Sequence, residues 1–217
     1  MQTPVLQRIP GPAGLIETAA MGCALSEPMP SKALLLLHPH PLHGGTMANK
    51  VVTTLARAAR DVGLPAVAFN FRGVGQSEGV WDHGEGEVED ALVVAQRMID
   101  AGVETLLIGG FSFGASMAAK LIPQVSRIHP NVQIADLIQV APAVENFPID
   151  PSWMANLRPC ILFNTDDEVV SVAAMQDYAK QIGVAPITHA EGGHFYHGQL
   201  TRLKAQVTAH WHARELL

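Results

Sequence analysis

The 217-residue chain reads as an α/β protein: a doubly wound, mainly parallel sheet of about seven or eight strands flanked by helices. Three observations predict it. Short apolar runs without polar alternation recur along the chain, as strands buried on both faces require. Segments with a helical apolar period lie between them, and turn residues separate the two kinds of segment. Strands alternating with helices wind into a parallel sheet with right-handed crossovers.

The stretch up to Ala24 carries the weakest signals and reads as two strands joined around Gly11, Pro12 and Gly14, forming an antiparallel edge. The first parallel strand is Ala33 to Leu37, bounded by Pro30 and by the HPHP that starts at His38. Val51, Leu55, Ala58 and Val62 then recur at helical spacing. A strand from Ala66 to Phe71 leads into RGVGQSEG, which superficially resembles a dinucleotide fingerprint; Glu78 stands where its third glycine belongs, so Gly73, Gly75 and Gly79 read as turn formers. Val88, Leu92, Ala95 and Ile99 mark the second helix, and further strands follow at Thr105 to Gly109, Leu137 to Val140, Cys160 to Asn164 and Pro186 to His189. A final helix is expected to begin at His197 and to carry His210 and His212 on its surface. No repeat, low-complexity segment or linker interrupts residues 1–217, so one domain is expected.

Composition narrows the function classes. A net charge of −6 and no Lys/Arg-rich run provide no electrostatic footprint for a phosphate backbone, which argues against a nucleic-acid partner. Cys23 and Cys160 stand far apart, without the spacing of a disulfide framework or a thiolate zinc site, as suits a reducing compartment. The opening MQTPVLQRIPGPAG lacks the pattern of a secretion signal, and no apolar run reaches the roughly 20 residues that span a bilayer. A cytoplasmic protein without a membrane partner is expected; the sequence carries no signal for oligomeric state.

The chemistry is concentrated at GFSFG, Gly110 to Gly114, which follows a strand and precedes the helix-forming ASMAAKLI. This is the strand, turn and helix context of a nucleophile elbow, with Ser112 on the strained turn and small neighbours two residues to either side. Gly109 and Gly114 also have the outer spacing of a phosphate loop, but Ala115 stands where that loop needs its lysine. A serine nucleophile needs a histidine to take its proton and a carboxylate to fix the histidine's tautomer, in the chain order serine, acid, histidine. His194, in EGGHF beyond the last strand, is the candidate base; His189 lies within that strand. The acid belongs after the strand ending at Asn164, where Asp166, Asp167 and Glu168 compete and spacing does not separate Asp166 from Asp167.

An oxyanion would be held by the backbone N–H of Phe113 and by a second N–H from the loop HPHPLHGG. There His40 is favoured over Leu42, and Pro39 and Pro41 have none to offer. His38, His40 and His43 in the same loop invite a metal reading, but no carboxylate or cysteine accompanies them, so neither metal nor cofactor is expected. The proline-broken segment Ala141 to Pro159 has room for at most a small helix, which predicts an open, shallow site. Trp81, Phe147, Trp153 and Phe195 are candidate lining residues.

Taken in order, HPHPLHGGTMANKVV, FNFRGVGQSEG, WDHGEGEVED, GFSFGA, DDEVV and GGHFYHG resemble the small bacterial α/β-hydrolases that lack a lid and are described as carboxylesterases. The resemblance extends from Ala33 to the last helix. It implies the α/β-hydrolase fold without a lid domain and ester hydrolysis without a cofactor. It also implies Asp167 as the acid, being the Asp directly before Glu and two aliphatic residues, and His194 as the base before an aromatic pair. Where that family often has glycine three residues before the acid, this chain has Asn164. The expected substrate is a small soluble ester; a thioesterase, amidase or lactone hydrolase would present the same three residues, and a non-catalytic binding protein could keep the fold.

Overall fold

The computed structural model describes residues 4–26 and 28–217. Among these residues eight strands form one sheet in the order β1-β2-β4-β3-β5-β6-β7-β8. The N-terminal hairpin, β1 (Val5–Gly11) and β2 (Gly14–Met21), is antiparallel and joins the rest through β2 against β4 (Ala66–Phe69). From there the pairing is parallel through β3 (Lys32–Leu37), β5 (Thr105–Phe111), β6 (Gln133–Val140), β7 (Cys160–Asn164) and the three-residue β8 (Ile187–His189). Every residue of β4 and β7 is buried, as are the last five of β3. Continuous burial explains why these strands show no polar alternation.

Among the described residues five helices flank the sheet: α1 (Lys50–Asp61), α2 (Glu85–Asp100), α3 (Phe113–Ile128), α4 (Val172–Gln181) and α5 (Leu200–Ala213). Helix α1 packs on α5, and α2 packs on α3. The Asn49 side chain caps α1 by accepting from the Val51 N–H, and Glu87 caps α2 from within by accepting from the N–H groups of Asp82 and Gly84. None of the described helices is long and apolar enough to cross a membrane.

Four boundaries differ by two residues or more from those read in the sequence. β5 continues to Phe111 because Gly110 still pairs with Leu37 and Phe111 with Val140. β6 begins at Gln133, four residues early, and thereby includes Asp136, whose charge hid the strand. That carboxylate is fully buried and accepts from Trp211 Nε1 (3.1 Å) and Arg214 Nη1 (3.0 Å), with His210 Nε2 also 3.1 Å away. His210 is therefore half-buried and holds α5 to the sheet, whereas His212 is exposed. Finally, β4 ends at Phe69, and α5 starts at Leu200, which leaves His197 in the preceding turns.

Candidate active site

The loops at the carboxyl ends of β3, β5, β7 and β8 meet at one edge of the sheet. Ser112 joins β5 to α3 with φ 55° and ψ −119°, a conformation that a residue with a Cβ rarely adopts. Its N–H donates to the Val140 carbonyl (2.8 Å), and its own carbonyl accepts from Ala115 and Ala143. Although Ser112 occupies the N-cap of α3, where a serine side chain ordinarily closes the helix, its hydroxyl makes no capping bond. The flanking glycines are steric requirements. A Cβ on Gly110 would lie 2.3 Å from the Gly114 carbonyl oxygen, and one on Gly114 would lie 2.4 Å from the carbonyl oxygens of Leu37 and His38. The start of α3 thus rests directly on the chain leaving β3. Ala115, Ala118 and Ala119, all fully buried, let the helix lie this close.

His194 is buried in the turns beyond β8, its ring 4.8 Å from that of Phe111, the neighbour of Ser112. Its Nδ1 lies 2.8 Å from Asp167 Oδ2. The other oxygen of Asp167 accepts from the N–H groups of Val169 (2.9 Å) and Val170 (2.8 Å). Burial pushes the Asp167 carboxyl up, but the bond with His194 and these two amides outweigh it and hold the group below its ordinary value. An ionised Asp167 fixes the proton of neutral His194 on Nδ1 and leaves Nε2 as the acceptor. Ser112 Oγ and His194 Nε2 are not hydrogen-bonded in this structure, a contact that commonly tightens only around substrate.

The other two carboxylates face the backbone of the histidine loop. Asp166 accepts from the N–H of Gly192 (3.0 Å) and Gly193 (2.9 Å), and Glu168 from the N–H of His194 (3.1 Å). Asn164, where the resemblance implied a glycine, donates from Nδ2 to the Gly193 carbonyl at 2.8 Å.

In the loop after β3, the Leu42 N–H donates to Nδ1 of His40 (3.2 Å), and the carbonyl of His40 accepts from His43 and Gly45. Leu42 is therefore engaged, while the His40 N–H has no protein partner among the described residues. Phe113, first residue of α3, presents an orphan helix-start N–H beside Ser112. His38 has both ring nitrogens occupied: Nε2 accepts from the Phe71 N–H (3.0 Å), so Nδ1 carries the proton and donates to the Pro39 carbonyl (2.6 Å). Burial pushes its pKa down to about 4. The rings of His40 and His43 stack 4.5 Å apart, so their in-plane lone pairs do not converge. Burial, and then the neighbouring His43, lower the pKa of His40.

Two aromatic groups surround the neighbours of Ser112. Phe113 contacts His40, Trp81 and Phe147, with ring centroids 4.8 to 5.2 Å apart; Phe195 lies 5.0 Å from His194 and is exposed. Trp153 stands apart from both, lining a cavity with His83, Lys120 and Gln124. The segment from Ala141 to Pro159 contains only the 3-10 turn Pro151–Met154.

Sequence reasoning assigned no role to WDHGEGEVED, yet it braces the site. Asp90 is fully buried and accepts from the Arg72 N–H (2.9 Å), Nε and Nη2 (2.9 Å). This pair ties the loop after β4 to α2. Asn70 Oδ1 accepts from the Met47 N–H (2.8 Å), tying the same loop to the one that carries His40. The signal was available: Glu87 and Asp90 share the apolar face of α2 with Val88, Ala91 and Val94.

An eight-stranded, mostly parallel sheet with a strained serine between β5 and α3 defines an α/β-hydrolase. Comparison with known proteins sharpens that class. A solved α/β serine hydrolase homologue from Coxiella burnetii is 36% identical and superposes with a TM-score of 0.81, covering 97% of this chain and 98% of that one. An α/β serine hydrolase without a lid from Xanthomonas campestris is 27% identical with a TM-score of 0.79, covering 98% of this chain and 95% of its own. An uncharacterized protein of Rickettsia prowazekii is 35% identical over 156 residues, 68% of this chain, so the match spans 62% of that relative's length. No family model matches the chain. The chain belongs to the bacterial α/β serine hydrolases that lack a lid.

Proposed function

We propose that this hydrolase cleaves small, soluble carboxylic esters through an acyl-enzyme on Ser112, with His194 as general base and acid and Asp167 as its orienting carboxylate. The observation that carries the reading is the 2.8 Å bond between Asp167 and a buried His194 whose ring packs beside the elbow. Ser112 Oγ attacks the ester carbonyl as Nε2 of His194 takes its proton; the N–H groups of Phe113 and His40 receive the developing oxyanion. His194 then protonates the departing alcohol, and water releases the acyl group by the reverse relay. The absence of a helical lid among residues 141–159 supports short rather than long acyl chains. The continuity of one sheet from Val5 to His189 supports reading the chain as a single domain.

Intact-mass analysis after fluorophosphonate treatment, alongside a chain-length series of p-nitrophenyl esters, tests the proposal. One adduct and cleavage favouring acetate and butyrate are expected for the wild type, and neither for Ser112→Ala. By the precedent of other triads, Asp167→Asn should lower kcat by about 10⁴-fold. An unlabelled, inactive wild type overturns the reading, and preference for long acyl chains overturns the open-site part of it.

A further inference from the structure

We propose that Asp166 and Glu168 are positioning residues for the base of the proposed reaction, seating the backbone of the His194 loop while Asp167 alone takes the ring. The loop has no ladder to hold it: residues 191–198 form neither strand nor helix, and Gly192, Gly193 and Tyr196 have φ of 133°, 57° and 55°. Three consecutive N–H groups, of Gly192, Gly193 and His194, all end on side-chain carboxylates of one turn. That turn leaves the fully buried end of β7, so the frame of reference is the sheet itself.

The fit between loop and turn is close. A Cβ on Gly193 would lie 2.8 Å from Glu168 Oε2, and one on Gly192 would lie 2.8 Å from Asn164 Nδ2. The outer carboxylates therefore fix where the Cα of His194 sits, and the middle one fixes where its ring points. Asp166 and Glu168 are both exposed, and exposed polar contacts add little to global stability. Their effect is local geometry. A general base displaced by about 1 Å can cost about 100-fold in rate, which is the scale on which such seating matters.

Glu168→Gln keeps an acceptor for the His194 N–H and removes the charge, whereas Glu168→Ala removes both. We would measure kcat and KM on p-nitrophenyl acetate, the melting temperature, and the low-field proton resonance of the Asp167–His194 bond for these variants and for Asp166→Ala. Both Ala variants should lose about 10- to 100-fold in kcat with KM and melting temperature unchanged. The resonance should broaden in them and return, with most of the activity, in Glu168→Gln. Full kcat with a sharp resonance in both Ala variants overturns the proposal. So does Glu168→Gln as impaired as Glu168→Ala, which makes the role one of charge, or a fall in melting temperature that tracks the loss of kcat. The resonance needs no turnover, so it separates the two readings: a wild type with the signal but no esterase activity counts against the proposed function. Loss of the signal in the Ala variants of that protein still supports the seating.

Discussion

His38 makes the stability of this protein depend on pH in a predictable window. The fully buried ring is neutral, donating to Pro39 and accepting from Phe71, and a second proton on Nε2 would place two donors face to face. Its pKa falls from an ordinary 6.5 to about 4, chiefly through burial. Between those values the unfolded chain binds a proton that the folded chain refuses, so acid favours unfolding there; above pH 6.5 the contribution is complete, and below pH 4 no more is lost. A gap of roughly 2.5 pH units at 1.36 kcal/mol per unit amounts to about 3 kcal/mol, of which about 2 kcal/mol is lost between pH 6.5 and 5. Urea unfolding of the wild type and of His38→Gln across pH 7.5 to 4.5 isolates this group, because every other titrating residue is common to both. The wild-type curve should fall more steeply by about 2 kcal/mol by pH 5. Parallel curves, or an NMR titration of His38 with an ordinary midpoint, would refute the argument.

Two substitutions probe the frame around Ser112. Gly114→Ala drives a Cβ into the backbone carbonyls of Leu37 and His38 at 2.4 Å; because backbone cannot step aside, fluorophosphonate labelling should be lost and the melting temperature should drop, and unimpaired labelling would contradict the close packing of elbow and loop. Asp90→Ala removes the buried partner of Arg72 and leaves its guanidinium only the exposed carboxylates of Glu89 (3.3 Å) and Asp82 (3.6 Å), which should cost about 1.5–3 kcal/mol in chemical denaturation; a loss below about 0.5 kcal/mol would mean that those two exposed carboxylates replace Asp90 in full.

What could be read from the sequence followed the physics of each signal. β3, β4 and β7 were visible because uninterrupted apolar runs have few alternative explanations, and Ser112 because Gly110 and Gly114 answer a backbone need that few other residues meet. The early start of β6 was hidden because Asp136 looks like a surface residue until Trp211 and Arg214, some 75 positions later, arrive to satisfy it. For the same reason the buried pair of Arg72 and Asp90 could not be read from the sequence, since its partners stand 18 positions apart. The neighbouring acids could not be ranked by spacing, since Asp166, Asp167 and Glu168 leave one turn in different directions and only the fold decides which meets a ring and which meets amides. Resemblance separated them where local pattern did not.

The backbone angles of Ser112 set folding and chemistry against each other at a single residue. A side chain held at φ 55° and ψ −119° costs about 1–3 kcal/mol that glycine would not incur, so the sequence most favourable to thermal endurance is not the one with a nucleophile. A population of variants sorted only by survival of heat would drift toward glycine at position 112 and become robust and inert together. A serine at the tightest point of the turn therefore serves something other than the chain's own persistence.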